Sequence, residues 1–328
     1  MSVTIHDIAR LIGVSPSTVS RALSGKGRVS ETTRERIQKL AKELGYQPNA
    51  LARALATRST FAIAVVIHER HLPLDERSFY GVILETIESE VTQHGYHVVF
   101  ATLRNHTLPR CIQEGRVDGV VFLGTDIQPE FVKQVKEKAQ VVLVDYHLPG
   151  VVSVVGDNVE GGKIATQHLL EHGHTRIAFV AETLADPSFR ERCEGYRYAF
   201  KEHGLPIRKS WVIEGGRRPD SDRIAMEKFL KLSRLPTAIF AANDFMAVGA
   251  MHALTQAGFK VPEDVAIVGF DDGALATVVQ PPLTTVRVPR MEMGRVAAKN
   301  LLDLLRGVNV PMLSLLPTTL TIRASCGC

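Results

Sequence analysis

The sequence predicts two kinds of structure in one chain of 328 residues, a short all-α head followed by a long α/β core. In residues 1–60, apolar side chains recur at helical spacing between strong capping signals. The remaining stretch of about 270 residues is long enough for two domains. It alternates continuous apolar runs with amphipathic segments, which is typical of parallel strands covered by helices on both faces.

Charge separates the same two regions. Residues 1–60 contain ten Lys and Arg but four Asp and Glu, a net charge of +6, whereas the whole chain carries +4. The remaining residues therefore sum to −2. Positive charge concentrated on a patterned, foldable segment favours the binding of a polyanion, with an affinity that depends on salt.

The first two helices of the head are predicted from their ends. Thr4 and Asp7 form a capping box, and Gly13 stands where a left-handed residue commonly ends a helix. Ser15 is a good N-cap for the next helix, and Pro16 suits its first position because that N–H has no helical partner. A tight link between two short helices is typical of a helix-turn-helix, whose second helix lies in a DNA major groove.

The second helix has an apolar and a polar face, and a third helix follows from Ser30 to a stop at Gly45. On the second helix, Val19, Ala22 and Leu23 are expected to face inward. The side chains left on the outward face are polar: Ser17, Thr18, Ser20 and Arg21.

This outward face supplies candidate DNA contacts. Arg21 is the best candidate for reading a base, because its planar fork can hold O6 and N7 of guanine together. Ser17 and Pro16 are expected to touch base edges or a thymine methyl group. The candidates for phosphate contacts are hydroxyl side chains that would set the register: Thr4, Ser15, Ser20, Ser30 and Thr33. Each of these hydroxyls is equally well explained as a plain helix cap.

The segment 46–56, YQPNALARALA, brings the pattern close to a known family. Residues 4–55 resemble the headpiece of the lac-repressor/galactose-repressor family, with its VSxxTVSRxL helix and LGYxPNxxAxxLA hinge. The DNA-binding residues that the resemblance implies in this segment are Tyr46, Asn49, Ala52 and Leu55. Leu55 would wedge between base pairs of the minor groove and kink the duplex, with Ala52 on the groove floor. Alternatively, Leu51 and Leu55 are ordinary core residues of a helix.

The resemblance continues through the core, which is similar to periplasmic sugar-binding proteins. It implies two Rossmann-like subdomains that enclose a cleft and are joined by three crossing strands. The predicted domains are a helix-turn-helix headpiece at 1–47, a hinge helix at 48–59 and an effector-binding, dimerising core at 60–328. Within the core, the N-subdomain comprises about 60–158 plus 288–316, and the C-subdomain about 159–287 plus 317–328.

Polar side chains follow three predicted strands, at the point where each strand ends. These are Asp145 after 141–144, Asn243 after 238–242 and Asp271 after 265–270. Ligands of parallel sheets bind beyond the carboxyl ends of the strands. Together with Arg192 near the start of a helix, such groups suit a polyhydroxylated ligand held by paired hydrogen bonds.

By motif position, the resemblance assigns effector contacts to the same four residues: Asp145, Arg192, Asn243 and Asp271. It also places Phe79 in an aromatic wall of the cleft. For Asp145 and Asp244, a helix N-cap is an alternative reading of equal weight.

One departure from the family concerns Arg217. Where several members carry an aromatic residue that stacks on the ligand ring, this chain has Arg217 beside Arg218. With Arg190 and Arg192 nearby, an acidic effector such as a sugar acid or sugar phosphate is one alternative, because guanidinium forks suit carboxylate and phosphate. The other alternative is that these are solvated loop charges.

Several function classes find no support in the sequence. The sequence predicts no signal peptide, no segment of transmembrane length and no disulfide framework among its four cysteines. The pair in Cys326-Gly327-Cys328 is a weak metal-like motif without partner ligands nearby, and it is interpreted as an exposed reduced tail. No catalytic residue, metal site or cofactor is predicted, because HExxH, Ser/His/Asp, Walker and GxGxxG patterns are missing from the sequence.

The sequence therefore predicts a cytoplasmic, ligand-responsive, sequence-specific DNA-binding regulator, in the form of a repressor of carbohydrate-utilisation genes. It would read a palindromic operator as a homodimer, because two helix-turn-helix units read half-sites about one turn apart. A homodimer rather than a tetramer is expected, because no leucine-heptad pattern is predicted after Arg323. Its partners are double-stranded operator DNA and a small-molecule effector (a sugar or sugar derivative), with no membrane. The alternatives are a solute-binding protein of a sugar transporter, a sugar-modifying enzyme, and an activating or co-repressor-dependent regulator.

Overall fold

The computed structural model of the protein describes residues 3–24, 28–46, 59–74, 78–104, 107–218 and 220–328. Its contacts divide the chain into a head, Met1–Thr60, and a core, Phe61–Cys328. The described residues of the head form three helices: α1 (Ile5–Ile12), α2 (Pro16–Ser24) and α3 (Glu31–Glu43).

The ends of the head helices lie where their capping residues predict. Thr4 and Asp7 form the reciprocal capping box at the start of α1, and Gly13 ends that helix in the left-handed conformation with φ +76°. The Oγ of Ser15 accepts a hydrogen bond from the N–H of Thr18 at 3.2 Å. Ser30 caps α3 in the same way. The buried core of the head is made by one apolar stripe from each helix: Ile8, Ala9, Val19, Ala22, Ile37 and Ala41.

The predicted hinge falls almost wholly outside the described residues, because 47–58 are not described. Asn49, Ala52 and Leu55 therefore stay predictions, together with the boundaries of the headpiece at 1–47 and the hinge at 48–59. Tyr46 is described and packs half-buried against the core of the head.

The core contains a first sheet of six parallel strands in the order β11-β5-β4-β3-β1-β2. The strands are β1 (Ala62–His68), β2 (His97–Leu103), β3 (Gly119–Leu123), β4 (Gln140–Val144), β5 (Val152–Gly156) and β11 (Leu313–Leu316). The helices associated with this sheet are α4 (Phe79–Gln93), α5 (Arg110–Gln113), α6 (Pro129–Lys136) and α12 (Arg290–Leu305), and a 3-10 helix spans Glu69–His71. We call this half of the core lobe 1.

Lobe 2 is built on a second sheet in the order β12-β10-β9-β8-β6-β7, in which only β12 runs antiparallel to its neighbour within the described residues. Its strands are β6 (Ile177–Ala181), β7 (Val212–Glu214), β8 (Ala238–Ala241), β9 (Ala266–Asp271), β10 (Thr284–Arg287) and β12 (Thr319–Thr321). Its helices are α7 (Asn158–Glu171), α8 (Pro187–Glu202), α9 (Ser221–Leu230), α10 (Asp244–Gln256) and α11 (Leu275–Val278), with a 3-10 helix at Lys209–Trp211.

The described chain passes between the lobes three times, after β5, after β10 and after β11. This agrees with the three crossings that the family resemblance implies. Central strands such as β3, β6 and β8 are buried along their whole length, as their continuous apolar sequences predict.

Short strands were the elements that the sequence analysis did not identify. Each apolar run predicted as a strand forms one, with ends that differ by one or two residues. Thr284–Arg287 forms strand β10, paired with β9 and β12, in a segment whose sequence did not predict a strand. Its polar Thr284 and Thr285 are fully buried, and a strand of four residues acquires its identity from the neighbours with which it pairs.

Candidate functional site

The outward face of α2 carries the side chains predicted to reach DNA. Ser15, Ser17, Ser20 and Arg21 are exposed, whereas Val19 and Ala22 are buried, so the predicted polarity of this helix is confirmed. The Nη2 of Arg21 donates to the Oγ of Ser17 at 3.5 Å, one turn away on the same face. A guanidinium and hydroxyls therefore share one exposed stripe of a short helix.

Three predicted phosphate contacts stand at helix N-termini. Thr4, Ser15 and Ser30 cap α1, α2 and α3, and all three are exposed. A helix N-terminus presents N–H groups and a positive dipole end to an anion. Thr33 is half-buried and its hydroxyl accepts a hydrogen bond from Ser30 at 2.7 Å. The caps and the predicted phosphate contacts are thus the same groups.

In the core, a cavity of about 470 Å³ lies between the carboxyl ends of the two sheets, a size typical of small-molecule sites. Eight lining residues belong to lobe 1: Arg70, His71, Leu74, Ser78, Phe79, Tyr80, Thr125 and Asp145. Eight belong to lobe 2: Glu182, Asp186, Ser188, Phe189, Arg192, Asn243, Phe245 and Asp271. We call this cavity the cleft. The structure brings together in it five of the six predicted effector contacts.

Arg192 is the most constrained of these residues. Its side chain is 3% exposed, and its Nε donates to Oδ1 of Asn158 at 2.9 Å while its Nη1 donates to the carbonyl of Ala242 at 2.6 Å. The guanidinium also stacks on the ring of Phe270, with 3.8 Å from Cζ to the ring centroid. These bonds use Nε and Nη1, and Asp271 pairs with the same Nη1.

Two glycines hold the backbone of Arg192 in place. A Cβ on Gly162 of α7 would lie 2.2 Å from the carbonyl oxygen of Arg192, and one on Gly195 of α8 would lie 2.0 Å from that of Val159. The two helices therefore approach each other more closely than any other residue type permits. The role of Gly162 is thus to permit the close contact between α7 and α8.

Asp145 lies in lobe 1 at the exit of β4. Its φ of +61° is a left-handed conformation that a non-glycine residue rarely adopts, and such strain is common at binding sites. Burial raises the pKa of its carboxyl to about 7, although Arg192 and the hydroxyl of Tyr80 favour the charged form. The Tyr80 hydroxyl donates to Oδ2 of Asp145 at 2.8 Å.

Asp271 and Asn243 line the cleft opposite Asp145, on lobe 2. Asp271 has φ +107°, and its Oδ1 lies 3.2 Å from Nη1 of Arg192. This ion pair joins Asp271 to Arg192 within lobe 2. Asn243 is the N-cap of α10, where its Oδ1 accepts the N–H of Met246 at 2.8 Å. Asn243, and not Asp244, therefore caps this helix.

Asp244 is buried beneath the cleft. Its carboxylate accepts the hydroxyl of Thr285 at 2.6 Å and the N–H of Gly273 at 2.7 Å. Burial, followed by repulsion from Asp271, raises the pKa of Asp244 to about 7. Asp244 therefore has a structural role, because these contacts tie it to the segment after β9 and to β10.

Arg217 is not among the lining residues of the cleft. Its Nη1 binds Oδ1 of Asp126 at 3.0 Å, and its side chain is 46% exposed. Burial opposes ionisation of Asp126, but hydrogen bonding to His71 and the charges of Arg70, His71 and Arg217 outweigh it and lower its pKa to about 2. Arg217 therefore neutralises a carboxylate of the protein at the edge of the cleft.

Polar bonds join the two lobes across the cleft. The Nη2 of Arg70 donates to Oε1 of Glu182 at 2.9 Å, and the hydroxyl of Thr125 donates to Oδ2 of Asp186 at 2.6 Å. The pair of Arg217 and Asp126 also crosses between lobes. Any change in the angle between the lobes must break or rearrange these three contacts.

Of these crossing residues, only Arg217 was predicted as a site residue, although a signal for some of the others was present. Thr125 and Asp126 follow β3, and Glu182 follows β6, so they stand at strand exits like the residues that were selected. Arg70 offers no comparable pattern, since it lies in a short 3-10 helix after β1. Phe189 and Phe245 are isolated aromatic residues on helices, and only the fold brings them to the cleft.

The interpretation of Cys326 and Cys328 as an exposed, reduced pair without partner ligands is wrong for the exposure of Cys326 and for the missing partner, whereas Cys328 is exposed and both thiols are free. Cys326 is 3% exposed, and the Sγ of Cys328 lies 3.2 Å from Nε2 of His168. The imidazole lies on α7, which is 160 residues away along the chain and therefore not visible as a neighbour in the sequence.

The comparisons with known proteins agree with this geometry. Residues 4–49 match the model of bacterial regulatory proteins of the lacI family, and residues 166–326 match that of the periplasmic binding protein-like domain. Catabolite control protein A of Priestia megaterium is 35% identical over 309 residues, which cover 91% of this chain and 91% of the relative.

Two solved structures are similar over nearly the full length. The transcriptional regulator CelR in complex with cellobiose has 34% identity and a TM-score of 0.72, with 98% of this chain and 99% of that chain covered. The lac repressor dimer bound to operator and the anti-inducer ONPF has 28% identity and a TM-score of 0.82, with 99% of both chains covered.

These relatives are transcriptional regulators and not enzymes, as predicted. Among the described residues, no helix has the length and apolar character needed to cross a membrane. A helix-turn-helix head, a two-lobed α/β core around a polar cleft, and a relative that matches nine tenths of the chain lead to one assignment. The chain belongs to the lacI family of bacterial regulatory proteins and is a ligand-responsive, DNA-binding transcription regulator.

Proposed function

We propose that this regulator is a homodimeric repressor of carbohydrate-utilisation genes, released from or directed to a palindromic operator by a neutral saccharide bound in the cleft. It acts in the cytoplasm, where its operator lies. The observation that carries the choice of ligand is the lining of the cleft, where carboxylates from both lobes stand beside aromatic rings. Hydroxyl groups of a ligand can donate to those carboxylates.

The charges that line the cleft also favour a neutral ligand over an acidic one. Four carboxylates line it, from Asp145, Glu182, Asp186 and Asp271, against the guanidinium groups of Arg70 and Arg192. Both guanidiniums are already paired with protein carboxylates. A carboxylate or phosphate on the ligand would meet repulsion, whereas hydroxyl groups can donate to the carboxylates and accept from Arg192.

Aromatic rings complete the resemblance to a saccharide site. Phe79 and Tyr80 of lobe 1 form an edge-to-face pair, with ring centroids 5.0 Å apart, and Phe189 and Phe245 line the opposite lobe. Apolar faces of a pyranose ring pack on aromatic rings while its hydroxyls point to polar groups at the ring edge. CelR in its cellobiose complex, which is similar over the whole chain, is a regulator with a disaccharide bound.

For DNA, we assign base reading to Arg21, with Ser17 and Pro16 beside it, and phosphate contacts to the capping hydroxyls of the head. The other phosphate contacts are Ser20 and Thr33, and the hinge contacts are Tyr46, Asn49, Ala52 and Leu55. The exposure of Ser15, Ser17, Ser20 and Arg21 on one face of α2 supports this assignment. In the related lac repressor, a dimer is bound to operator.

The homodimer is supported by exposed apolar side chains on the two edge strands of the first sheet. Phe100 on β2 is 45% exposed, and Leu313 and Leu315 on β11 are 43% and 54% exposed. Edge strands with apolar side chains are rarely left open to water in a soluble protein. Burial of these groups against a second copy would also give the two-fold symmetry that a palindromic operator requires.

Control by the ligand follows from the bonds between the lobes. A ligand shifts the angle between the lobes only if it binds one arrangement more tightly than the other. Asp145 and Asp271 bind the ligand from opposite lobes, so their distance apart decides its affinity. The coupling between ligand and DNA is then reciprocal, and each changes the affinity of the other by the same factor.

The test measures DNA binding and ligand binding on the full chain. Inverted-repeat duplexes selected from a random library are titrated by fluorescence anisotropy, with panels of neutral saccharides, sugar acids and sugar phosphates. One neutral saccharide should change operator affinity at least about tenfold, within the usual range of allosteric coupling. Arg192→Lys should weaken that saccharide on the order of 100-fold, because the planar fork is lost at a fully buried site.

Arg176→Lys is the matched control, since Arg176 is a half-buried arginine of lobe 2 outside the cleft, and it should leave saccharide affinity unchanged. Failure to bind any inverted repeat at low salt would refute the DNA-binding assignment. A best ligand that is anionic would refute the neutral saccharide while leaving the regulator intact.

A further inference from the structure

A cluster of two thiols and two imidazoles lies in lobe 2, outside the cleft. His168 and His172 stand four residues apart on and just after α7, so that their rings share one face, with centroids 4.5 Å apart. The Sγ of Cys328 lies 3.2 Å from Nε2 of His168 and 2.8 Å from the Sγ of Cys326. Ligand atoms of His168, His172 and Cys328 all lie within 4.8 Å of one another.

From this geometry we propose that the chain binds one zinc ion through His168, His172, Cys326 and Cys328. Two thiolates and two imidazoles are a ligand set that Zn²⁺ prefers, in a tetrahedral arrangement. With Zn–S of about 2.3 Å and Zn–N of about 2.0 Å, neighbouring ligand atoms of a tetrahedron lie roughly 3.3–3.8 Å apart. The contact between Cys328 and His168 nearly meets that spacing, and the two sulfurs must separate by about 1 Å.

Hydrogen bonding decides which ring nitrogen of His172 can bind a metal. Its Nδ1 binds the carbonyl oxygen of His168 at 2.7 Å, so Nδ1 carries the proton and Nε2 is left as the ligand atom. This pattern, in which a backbone carbonyl fixes the tautomer of a ligating histidine, is usual around zinc. His172 is exposed, which gives the ion a route from solvent.

The cysteine segment is held in position before any ion binds. The Oγ of Ser325 donates to the carbonyl of Ile267 at 2.6 Å and accepts the N–H of Thr284 at 2.9 Å. The hydroxyl of Thr284 also donates to the Sγ of Cys326 at 3.1 Å. Gly327, at φ +81°, makes the turn that brings Cys328 back beside Cys326, and this conformation favours glycine.

The ion would tie residues 325–328 to the end of α7 that is remote from the cleft. At the other end of the same helix, Asn158 accepts the hydrogen bond from Nε of Arg192. The site is therefore structural for lobe 2, because four protein ligands leave no open position for catalysis. The inference does not rest on the saccharide, and either can fail without the other.

The experiment uses the full chain, purified under a phosphine reductant and stripped of metal with a chelator. Zn²⁺ is titrated in competition with a chromophoric chelator, and Co²⁺ serves as a spectroscopic probe. We expect one Zn²⁺ per chain, visible bands of tetrahedral Co²⁺, and a thiolate-to-cobalt charge-transfer band in the near ultraviolet. Bound Zn²⁺ should also raise the melting temperature.

Cys328→Ser and His172→Ala change exposed residues, so both variants should fold and bind DNA. Each should lower Zn²⁺ affinity at least about 100-fold, since even partners beyond the ligands change affinity about 10–100-fold. His203→Ala is a matched control, because His203 follows α8 and binds the carbonyl of Ala199 through Nδ1 just as His172 binds that of His168. Cys111→Ser is the control for the thiols.

Three results would overturn the proposal. The first is a wild-type chain that takes up no Zn²⁺ under reducing conditions. The second is Zn²⁺ binding that neither Cys328→Ser nor His172→Ala weakens, which would place the ion elsewhere. The third is a chain that binds no metal but loses two hydrogen masses in air, in wild type and not in Cys328→Ser, which would make the cysteines a redox pair.

Discussion

The head and the cleft place their functional groups by opposite means. In the head, the hydrogen bonds that position the predicted DNA contacts join residues two to four apart, such as Ser15 with Thr18 and Ser17 with Arg21. In the cleft, Arg192 is bonded to residues 34 and 50 positions away, and Tyr80 is bonded to Asp145 at a separation of 65. Local sequence prepares one site, and chain topology assembles the other.

The two sites also treat their carboxylates differently. Asp7 in the head is only half-buried, and hydrogen bonds from Thr4 lower its pKa. Asp145 in the cleft is buried, and that burial raises its pKa to about 7. The head therefore keeps its groups charged and hydrated for a polyanion, whereas the cleft holds its carboxylates partly desolvated for a small ligand. Substitutions should separate the two sites clearly.

The largest effect is expected from Gly162→Ala, which should disable the cleft and spare the head. The added Cβ would lie 2.2 Å from a backbone oxygen, so α7 and α8 must move apart and carry Arg192 with them. We expect the core to lose about 3 kcal/mol or more of unfolding free energy, at the upper end of overpacking costs, together with saccharide binding. Thermal unfolding and calorimetric titration measure both.

Gly273→Ala is the control for this substitution, because its Cβ would meet only an ordinary contact of 3.6 Å with Oδ2 of Asp244. Binding of Gly162→Ala to non-specific DNA at low salt should stay at the wild-type level. A Gly162→Ala core as stable as wild type would show that the helix contact does not position Arg192.

The second largest effect is expected in the pH dependence of stability, which should distinguish the buried Asp145 from Asp7 of the head. The pKa of Asp145 is 3.8 in its unperturbed state and about 7 in the folded core, so the folded state binds more protons between these values. The resulting stability is complete below about pH 4 and is lost as pH rises through 7. The pKa of Asp244 is also raised to about 7, so its effect on stability has the same sign.

Core stability should therefore fall between pH 5 and pH 8, by an amount on the order of 2–3 kcal/mol for each of the two groups, and Asp145→Asn/Asp244→Asn should flatten the profile. Melting curves followed by circular dichroism at several pH values measure this. The pKa values of Asp126 and Asp7 are lowered, so these two groups change the stability of the protein only below about pH 4, which is outside this window. A double variant with the wild-type slope would contradict the assignment.

A third prediction concerns the head alone. Arg21→Ala should weaken specific operator binding by about 1.5 kcal/mol and relax preference at one base position, because base-reading contacts act on specific complexes. Saccharide affinity in the absence of DNA should not change. Anisotropy titrations with operator and with scrambled duplex provide the measurement.

Arg36→Ala on the exposed face of α3 is the control, since loss of a phosphate contact there would weaken both duplexes about equally. Equal loss of both duplexes in Arg21→Ala would remove Arg21 from base reading and leave it as a contact to the backbone of DNA.

The smallest effect is expected from Arg217→Ala. This side chain is 46% exposed and binds Asp126, which Arg70 and His71 also hold, so the pair contributes less than about 1 kcal/mol. Affinity for a neutral saccharide should stay within about threefold of wild type. A tenfold or larger loss, measured by calorimetry with an anionic ligand, would restore the alternative of an acidic effector.

Much of the fold was predictable because its signals are local. The capping box at Thr4, the left-handed stop at Gly13 and the proline after Ser15 each depend on neighbours within one turn. Long apolar runs such as 119–123 and 238–241 predict buried strands wherever they lie in the sheet order. Short polar strands such as β10 were not predictable, because their pairing partners lie elsewhere in the chain.

The cleft was predictable to the extent that its residues follow strands. Asp145, Asn243 and Asp271 were found by that rule, whereas Glu182 and Thr125 obey it and were overlooked. Arg70, Phe189 and Phe245 do not directly follow strands, so that rule could not find them. The placement of Arg217 could not be deduced, because its partner Asp126 is 91 residues away.

By itself, the sequence determined the helical head with its polar recognition face, the alternating α/β pattern of the core and the exits of the strands where polar groups collect. Only the tertiary structure decided which charges neutralise one another across the cleft, and that Cys328 meets His168. The physical reason is range: caps and apolar periods act over a few residues, whereas ion pairs, burial and metal ligands depend on distances in space that chain topology sets.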